Sequence, residues 1–530
     1  MREGTTQQRV LFRELFDKPL VVQFDQPHGS SDGGAVLLKA CDERLQLTAR
    51  MAACLHDQRQ PGKVAHPLHD LLRQRVFGIA CGYADCNDAA RVADDPIHKA
   101  LVERDPVAGA ALASQPTLSR FENAAGPKVL YRMGEALADA VIKRQRRPQR
   151  KAKRITVELD PTDDPTHGVQ QLALFNSHYD TWCYLPVAGF IRFDEQPEQY
   201  LFAYVLRGGR APAQLGAIGI LKRVFARLRA AFPKARLRVR LDGGFAGPQM
   251  FEFLEAERVE YVIAMGGNSV LNALAEPAMQ RARALSARSA QTEHGYAQCQ
   301  YAAKSWDVKR RVIIKAEVVR LEGREARDNP RYVVTNLSAG PKHLYENVYC
   351  QRAEIENRIK ELHHGLEIDR TSCTRFWANQ LRVLLSAAAY VLMQELRGAA
   401  AGTDCARGAG VDLARAAAQT RRLGRTFRAP HRAASAATRA LARRVVSRGA
   451  QPRRRLALTD TSLPVAHRLM NTAAGLLSLR TRHLLIRTSK TMPPYAFLLK
   501  LHAFNASCAA HIAQNAPGPR LLATFMNNAG

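Results

Sequence analysis

Apolar residues recur at three- and four-residue spacing over residues 67–80 (Leu68, Leu71, Leu72, Val76, Ile79), which predicts an amphipathic helix. The same spacing predicts helices over 36–51 and 129–142. Between them, in Ser114-Gln-Pro-Thr-Leu-Ser-Arg-Phe-Glu-Asn123, Pro116 opens a helix after a polar cap and Arg120 and Asn123 point outward. Residues 1–150 are therefore expected to form a mostly helical region. Its short segment at 114–123 is a candidate recognition helix for a DNA groove, with Arg120 as a contact, although the pattern also fits a helical module that binds no DNA.

The period then changes. Residues 155–159, 179–193 and 200–206 are rich in β-branched and aromatic side chains and read as strands; 214–232 returns to helical spacing. Residues 236–241 and 261–264 alternate as strands again, and this interleaving is that of an α/β fold. Residues 267–340 contain further strand-like runs (312–319 and 332–335) among polar stretches and read as a partly β insertion. Helices are predicted over 345–363 and 376–397. The expected organisation is a helical region at 1–150, an α/β catalytic domain at 151–397 and a tail at 398–530.

Charge sharpens this picture. With 78 Lys and Arg against 48 Asp and Glu the formal charge is +30, a surplus that attracts polyanions, nucleic acid first among them. A ribosomal or chromatin-type binder fits the same surplus. Eight of the twelve residues 143–154 are basic, which marks a boundary suited to lie along phosphates. From Arg397 onward 22 Lys or Arg face three acids (Asp404, Asp412, Asp460) and no Glu. This Ala- and Arg-rich tail reads either as a disordered basic DNA-binding extension or as a frameshifted end.

Other classes are set aside by what the pattern lacks. The longest apolar run, 383–393, is well short of the roughly 20 residues that cross a membrane, and no signal peptide is expected, so the protein is expected in the bacterial cytoplasm, at the nucleoid. The ten cysteines show no C-x-x-C pair, so their spacing predicts no zinc site.

Two carboxylates stand where α/β folds put ligands. Asp160 follows the strand at 155–159 and Asp242 the strand at 236–241; strand carboxyl ends line the crevice of an open sheet, so the two can share a site. Pro161 and the Gly243-Gly244 pair let substrate approach the backbone. In the helix predicted over 345–363, Tyr349, Arg352, Glu356 and His363 are spaced three, four and seven apart and fall on one face. One hydroxyl, two potential cations and a carboxylate suit a phosphodiester site, the carboxylate for metal and the others for phosphate oxygens. Taken alone, the helix also fits an exposed surface with an Arg352–Glu356 ion pair.

The motifs Ile155-Thr-Val-Glu-Leu-Asp160-Pro-Thr-Asp-Asp-Pro-Thr-His-Gly168, Arg240-Leu-Asp242-Gly-Gly-Phe245, Val334-Thr-Asn-Leu337 and the 349–363 segment, together with Ser31-Asp-Gly-Gly34 and the 115–123 segment, resemble the DDE transposases of bacterial insertion sequences, specifically the insertion-sequence 1380 family. The resemblance covers roughly residues 25–397. It implies a ribonuclease H-like core with a β-rich insertion between the second Asp and the Glu. It implies Asp160, Asp242 and Glu356 as catalytic ligands of two divalent metals, and Tyr349 and Arg352 as phosphate contacts. His363 stands where that signature has Lys; a neutral imidazole weakens this contact or moves it to Lys360. Asp163 and Asp164 are rivals for the first ligand position. An all-carboxylate set suits magnesium, with manganese also possible. The implied activity is cutting at the ends of an insertion sequence and joining 3′-hydroxyl ends to target DNA, by a homodimer on double-stranded DNA. Alternatives are a nuclease without strand transfer and an inactive remnant that only binds DNA.

Overall fold

In the computed structural model, residues 21–23, 30–400 and 426–428 are described. The expectations for the tail therefore lie almost wholly outside the described residues. Val21–Gln23 pairs antiparallel with Thr426–Arg428.

The helical periodicity of the first part is borne out, with local departures. Helices α1 (Ala35–Leu45) and α2 (Leu47–Ala52) replace one predicted helix because Gln46 takes a left-handed conformation that breaks the hydrogen-bond ladder. Then come α3 (Leu68–Ala80), α4 (Pro96–Leu101), α5 (Gln115–Ala124) and α6 (Pro127–Gln145). Pro116 and Pro127 sit in the first turns of α5 and α6, where a missing N–H costs nothing. Helix α6 runs on into the basic stretch at 143–154, where Arg144 pairs with Glu395 at 2.8 Å.

The chain then enters a nine-stranded mixed sheet. Its strands are β1 (Arg154–Pro161), β2 (Val187–Phe193), β3 (Gln199–Val205), β4 (Arg236–Leu241), β5 (Glu260–Met265), β6 (Glu293–Tyr301), β7 (Arg310–Val319) and β8 (Arg331–Thr335), with Arg327–Asp328 pairing off β7. The order is β6-β7-β8-β5-β4-β1-β2-β3. Strands β1, β4 and β5 run parallel to one another, while β2 and β3 on one side and β8, β7 and β6 on the other are antiparallel to their neighbours. Helices α7 (Ala217–Ala231) and α8 (Pro248–Ala256) make the crossovers β3 to β4 and β4 to β5. The central strand β1 is buried on both faces: Ile155 to Asp160 are all buried, the polar Thr156, Glu158 and Asp160 among them.

Two sequence expectations are corrected here. The run at 179–193 is two strands, Thr181–Tyr184 and β2; the first joins Asp164–Pro165 and Leu174–Asn176 in a small separate sheet beside the end of β1. Residues 267–340 include the 21-residue helix α9 (Ser269–Ser289), whose Pro277 and scattered polar positions hid its period, and their strands continue the main sheet.

The last two helical segments close the fold. Residues 341–365 are helical but irregular, with wide five-residue turns at Leu344–Tyr349 and Glu361–Gly365, a tight turn at Cys350–Arg352, and regular helix α10 (Ala353–Lys360) between them. Helix α11 (Phe376–Ala400) packs against α1, α3, α5, α6 and β3, so the helical region and the sheet share one continuous core. Arg382 donates to the Ala84 carbonyl and Gln394 to that of Gln199, tying α11 to both parts.

Candidate active site

Parallel pairing brings the two aspartates together. Glu158 on β1 is in register with Arg240 on β4; two residues further along each strand stand Asp160 and Asp242, side by side at the carboxyl end of the sheet. Arg352 confirms the juxtaposition. One nitrogen of its guanidinium, Nη2, contacts Asp160 Oδ1 and lies 3.4 Å from Asp242 Oδ2. Asp242 Oδ1 also accepts from the Gly244 N–H at 2.9 Å, which fixes the carboxylate in the turn after β4. Glu356 lies on the exposed side of α10, one turn after Arg352.

The electrostatics follow from this crowding. Burial pushes the Asp160 carboxyl up to about 7; Arg352 pulls against that shift, and Asp242 and Glu356 add to it. Burial also raises the hydroxyl of half-buried Tyr349, with Arg352 opposing and Asp242 reinforcing. A buried carboxylate, Asp160, beside a partly buried one, Asp242, offers oxygen donors that a hard divalent cation would neutralise. Asp160 and Asp242, which share Arg352, are such oxygen donors; Glu356 stands on the exposed side of α10.

The helical segment that carries Tyr349, Arg352 and Glu356 is held by buried polar contacts within the sheet. Arg240 forms an ion pair with Glu158, both side chains being nearly inaccessible, and donates to the Val348 carbonyl at 2.7 Å. Gln351 accepts from Arg192 at 3.2 Å. The wide turns flanking α10 carry Tyr349 and His363; insertions of this kind re-aim side chains that a regular helix would align. The expectation of one straight helical face is therefore replaced by a face bent at both ends.

The other predicted residues are placed as follows. His363 is engaged on both nitrogens, with Asp369 at 3.0 Å and Thr162 at 3.4 Å. Lys360 is exposed at the end of α10. Arg120 is exposed on α5, a separate element, and turns back to Thr117 at 3.2 Å. Asp163 is half-buried, and Asp164 is fully buried, accepting from the Thr371 hydroxyl at 2.9 Å while burial raises its carboxyl well above the usual range. Arg352 does not reach either of them in the way it reaches Asp160 and Asp242.

Sequence reading missed several supporting groups. Tyr179, at the turn of the small sheet, has its hydroxyl raised by burial and then by the charges of Asp163 and Asp160. Glu158 and Arg240 were hidden because a charged residue between aliphatic ones in a strand reads as its solvent face; their register-matched opposite signs were the available clue.

A family model described as transposase DDE domain group 1 matches residues 12–420. The chain belongs to this family of DDE transposases. As a DDE transposase it is a DNA-cutting and DNA-joining enzyme in the general sense of that family. Among solved structures, a piggyBac transposase synaptic complex with hairpin DNA is similar at a TM-score of 0.37 and 11% identity, over 83% of this chain and 90% of that one. No curated protein matches the transposase. Among its described residues no helix is long and apolar enough to cross a membrane.

Proposed function

We propose that this transposase cuts DNA at the ends of an insertion sequence and joins the freed 3′-hydroxyl ends to target DNA, with Asp160, Asp242 and Glu356 as its catalytic carboxylates. The observation that carries the reading is the sharing of Arg352 between Asp160 and Asp242 at the ends of adjacent parallel strands. The strand order β3-β2-β1-β4-β5, antiparallel through the first three and parallel through the last three, supports a ribonuclease H-like core. The motifs at 155–168, 240–245 and 349–363 support the insertion-sequence 1380 family within the group.

Bound at these carboxylates, magnesium, or manganese in its place, would activate the attacking oxygen and stabilise the departing 3′ oxygen. The chain's own residues do the rest. Asp160 must give up its proton before it can serve as a ligand. Arg352, now neutralising two carboxylates, is placed to turn to a phosphate oxygen when they are otherwise neutralised. Tyr349 and exposed Lys360 lie along the same segment for further phosphate contacts, while His363 is committed to Asp369 and Thr162 and serves to position the segment. Residues 1–150, with Arg120 on the outer face of α5, supply DNA binding, and residues 151–397 supply catalysis. Two element ends require two such sites, hence a homodimer on double-stranded DNA.

The test is incubation of the full chain with labelled DNA carrying the element ends, in magnesium, beside Glu356→Gln. End cleavage and strand-transfer products that vanish in the variant support the proposal. Cleavage without transfer products would reduce the enzyme to a nuclease. Binding without cleavage in both proteins would leave only a DNA-binding remnant.

A further inference from the structure

The motif Ser31-Asp-Gly-Gly34 plays no part in the carboxylate site, yet its aspartate is one of the most completely buried charged groups among the described residues. Asp32 is 0%, Cys81 1% and His98 2% exposed, and their ligand atoms all lie within 4.8 Å of one another. We propose that Asp32, Cys81 and His98 bind a zinc ion that fastens the start of the helical region, a site separate from the catalytic carboxylates.

The three donors come from three segments that are each fixed independently. Asp32 lies in the turn before α1, where its carbonyl accepts from Ala35 N–H at 2.8 Å and its own N–H donates to Ser30 Oγ at 3.0 Å. Its Oδ1 accepts from the Ser31 hydroxyl at 3.1 Å, which leaves Oδ2 facing His98 Nε2 at 2.9 Å. Cys81 caps the end of α3 through its N–H to the Phe77 carbonyl at 3.0 Å. His98 sits in α4, whose first turn is capped by Asp95, and the Tyr83 ring meets its imidazole edge-on at 5.5 Å. Side chains held this way need only small rotations to converge on one ion.

Donor chemistry selects the metal. A thiolate, an imidazole and a carboxylate form the borderline-soft set that zinc prefers, in contrast to the all-oxygen set of the catalytic site. One thiolate and one carboxylate also balance a dication, so the loaded site is neutral, as a buried group should be. A water as fourth ligand would complete the tetrahedron. The Ser31 hydroxyl on Asp32 supplies the outer hydrogen bond that commonly orients a ligand. Residues 32, 81 and 98 are too far apart in sequence for spacing to reveal the site.

The experiment is metal analysis of the full chain purified from zinc-supplemented medium without chelator. About one zinc per chain is expected in the wild type and in Asp160→Asn, falling about tenfold in Cys81→Ser and in His98→Ala. Cobalt loading of the wild type gives a second reading that needs no variant to fold: a sulfur-to-cobalt charge-transfer band in the near ultraviolet. A folded wild-type chain that takes up no zinc, or a cobalt protein without that band, overturns the proposal and leaves a buried Asp32–His98 pair. Zinc retained in full by Cys81→Ser overturns it equally.

Discussion

Arg240 Nη1 lies 2.7 Å from the carbonyl oxygen of Val348, so a central strand of the sheet grips the residue just before Tyr349. The same guanidinium is paired with Glu158, the two side chains being 2% and 1% exposed. One buried cation thus joins β1, β4 and the segment that supplies Arg352 and Glu356.

Arg240→Met strands Glu158 as an unpaired buried charge. Loss of one partner of such a pair costs about 3–5 kcal/mol, whereas Glu158→Gln with Arg240→Met should cost clearly less. Urea denaturation of the two proteins compares them, and equal losses would show that the pair is not the source of the cost.

Asp160 sets a pH dependence. Its carboxyl, raised to about 7, keeps a proton in the folded chain that an unfolded carboxyl has already lost, so by itself it lowers stability as pH rises from the ordinary carboxylate range through about 7. A divalent cation competes with that proton. Magnesium should therefore bind more tightly, and raise the melting temperature more, at about pH 8 than at about pH 6, with the difference abolished in Asp160→Asn. Thermal scans with and without magnesium at the two pH values read this directly.

His363 and Lys360 should separate by assay. Lys360→Ala removes an exposed charge and should reduce the salt dependence of DNA binding by about one phosphate contact. His363→Ala removes the links to Asp369 and Thr162 and should lower thermal stability by about 1–2 kcal/mol with little change in that salt slope. Titrations at several salt concentrations distinguish the two; a changed slope in His363→Ala would assign it a direct phosphate contact instead.

Gly209 threads between the strands of the small sheet, where a Cβ would meet backbone, including the Leu174 carbonyl at 2.6 Å. Backbone cannot swing aside as a side chain can. Gly209→Ala should cost about 1–3 kcal/mol and disturb the small sheet whose turn carries Tyr179, visible as a lowered denaturation midpoint.

Much of this architecture was legible because burial and period coincide. Strand β1 reads as a strand because Ile155, Val157 and Leu159 interleave with residues suited to an extended chain, and the strand-end rule then marks Asp160 and Asp242. What was not legible depends on long-range pairing. Nothing local says that β8 joins β5 and so makes the residues after 267 a continuation of the sheet. The wide turns around α10 leave the apolar spacing nearly unchanged, and Gln46 carries no signal of its left-handed backbone.

Helix α11 covers both the N-terminal helices and the sheet edge at β3. On the ribosome this means that the first 150 residues emerge without the helix against which α3 and α6 are finally packed. Their packing must wait until more than 200 further residues have been made, so the helical region matures late although it is synthesised first. A chain of this kind spends its synthesis with apolar helix faces open, and its yield in the cell should depend on holding chaperones more than its final stability would suggest.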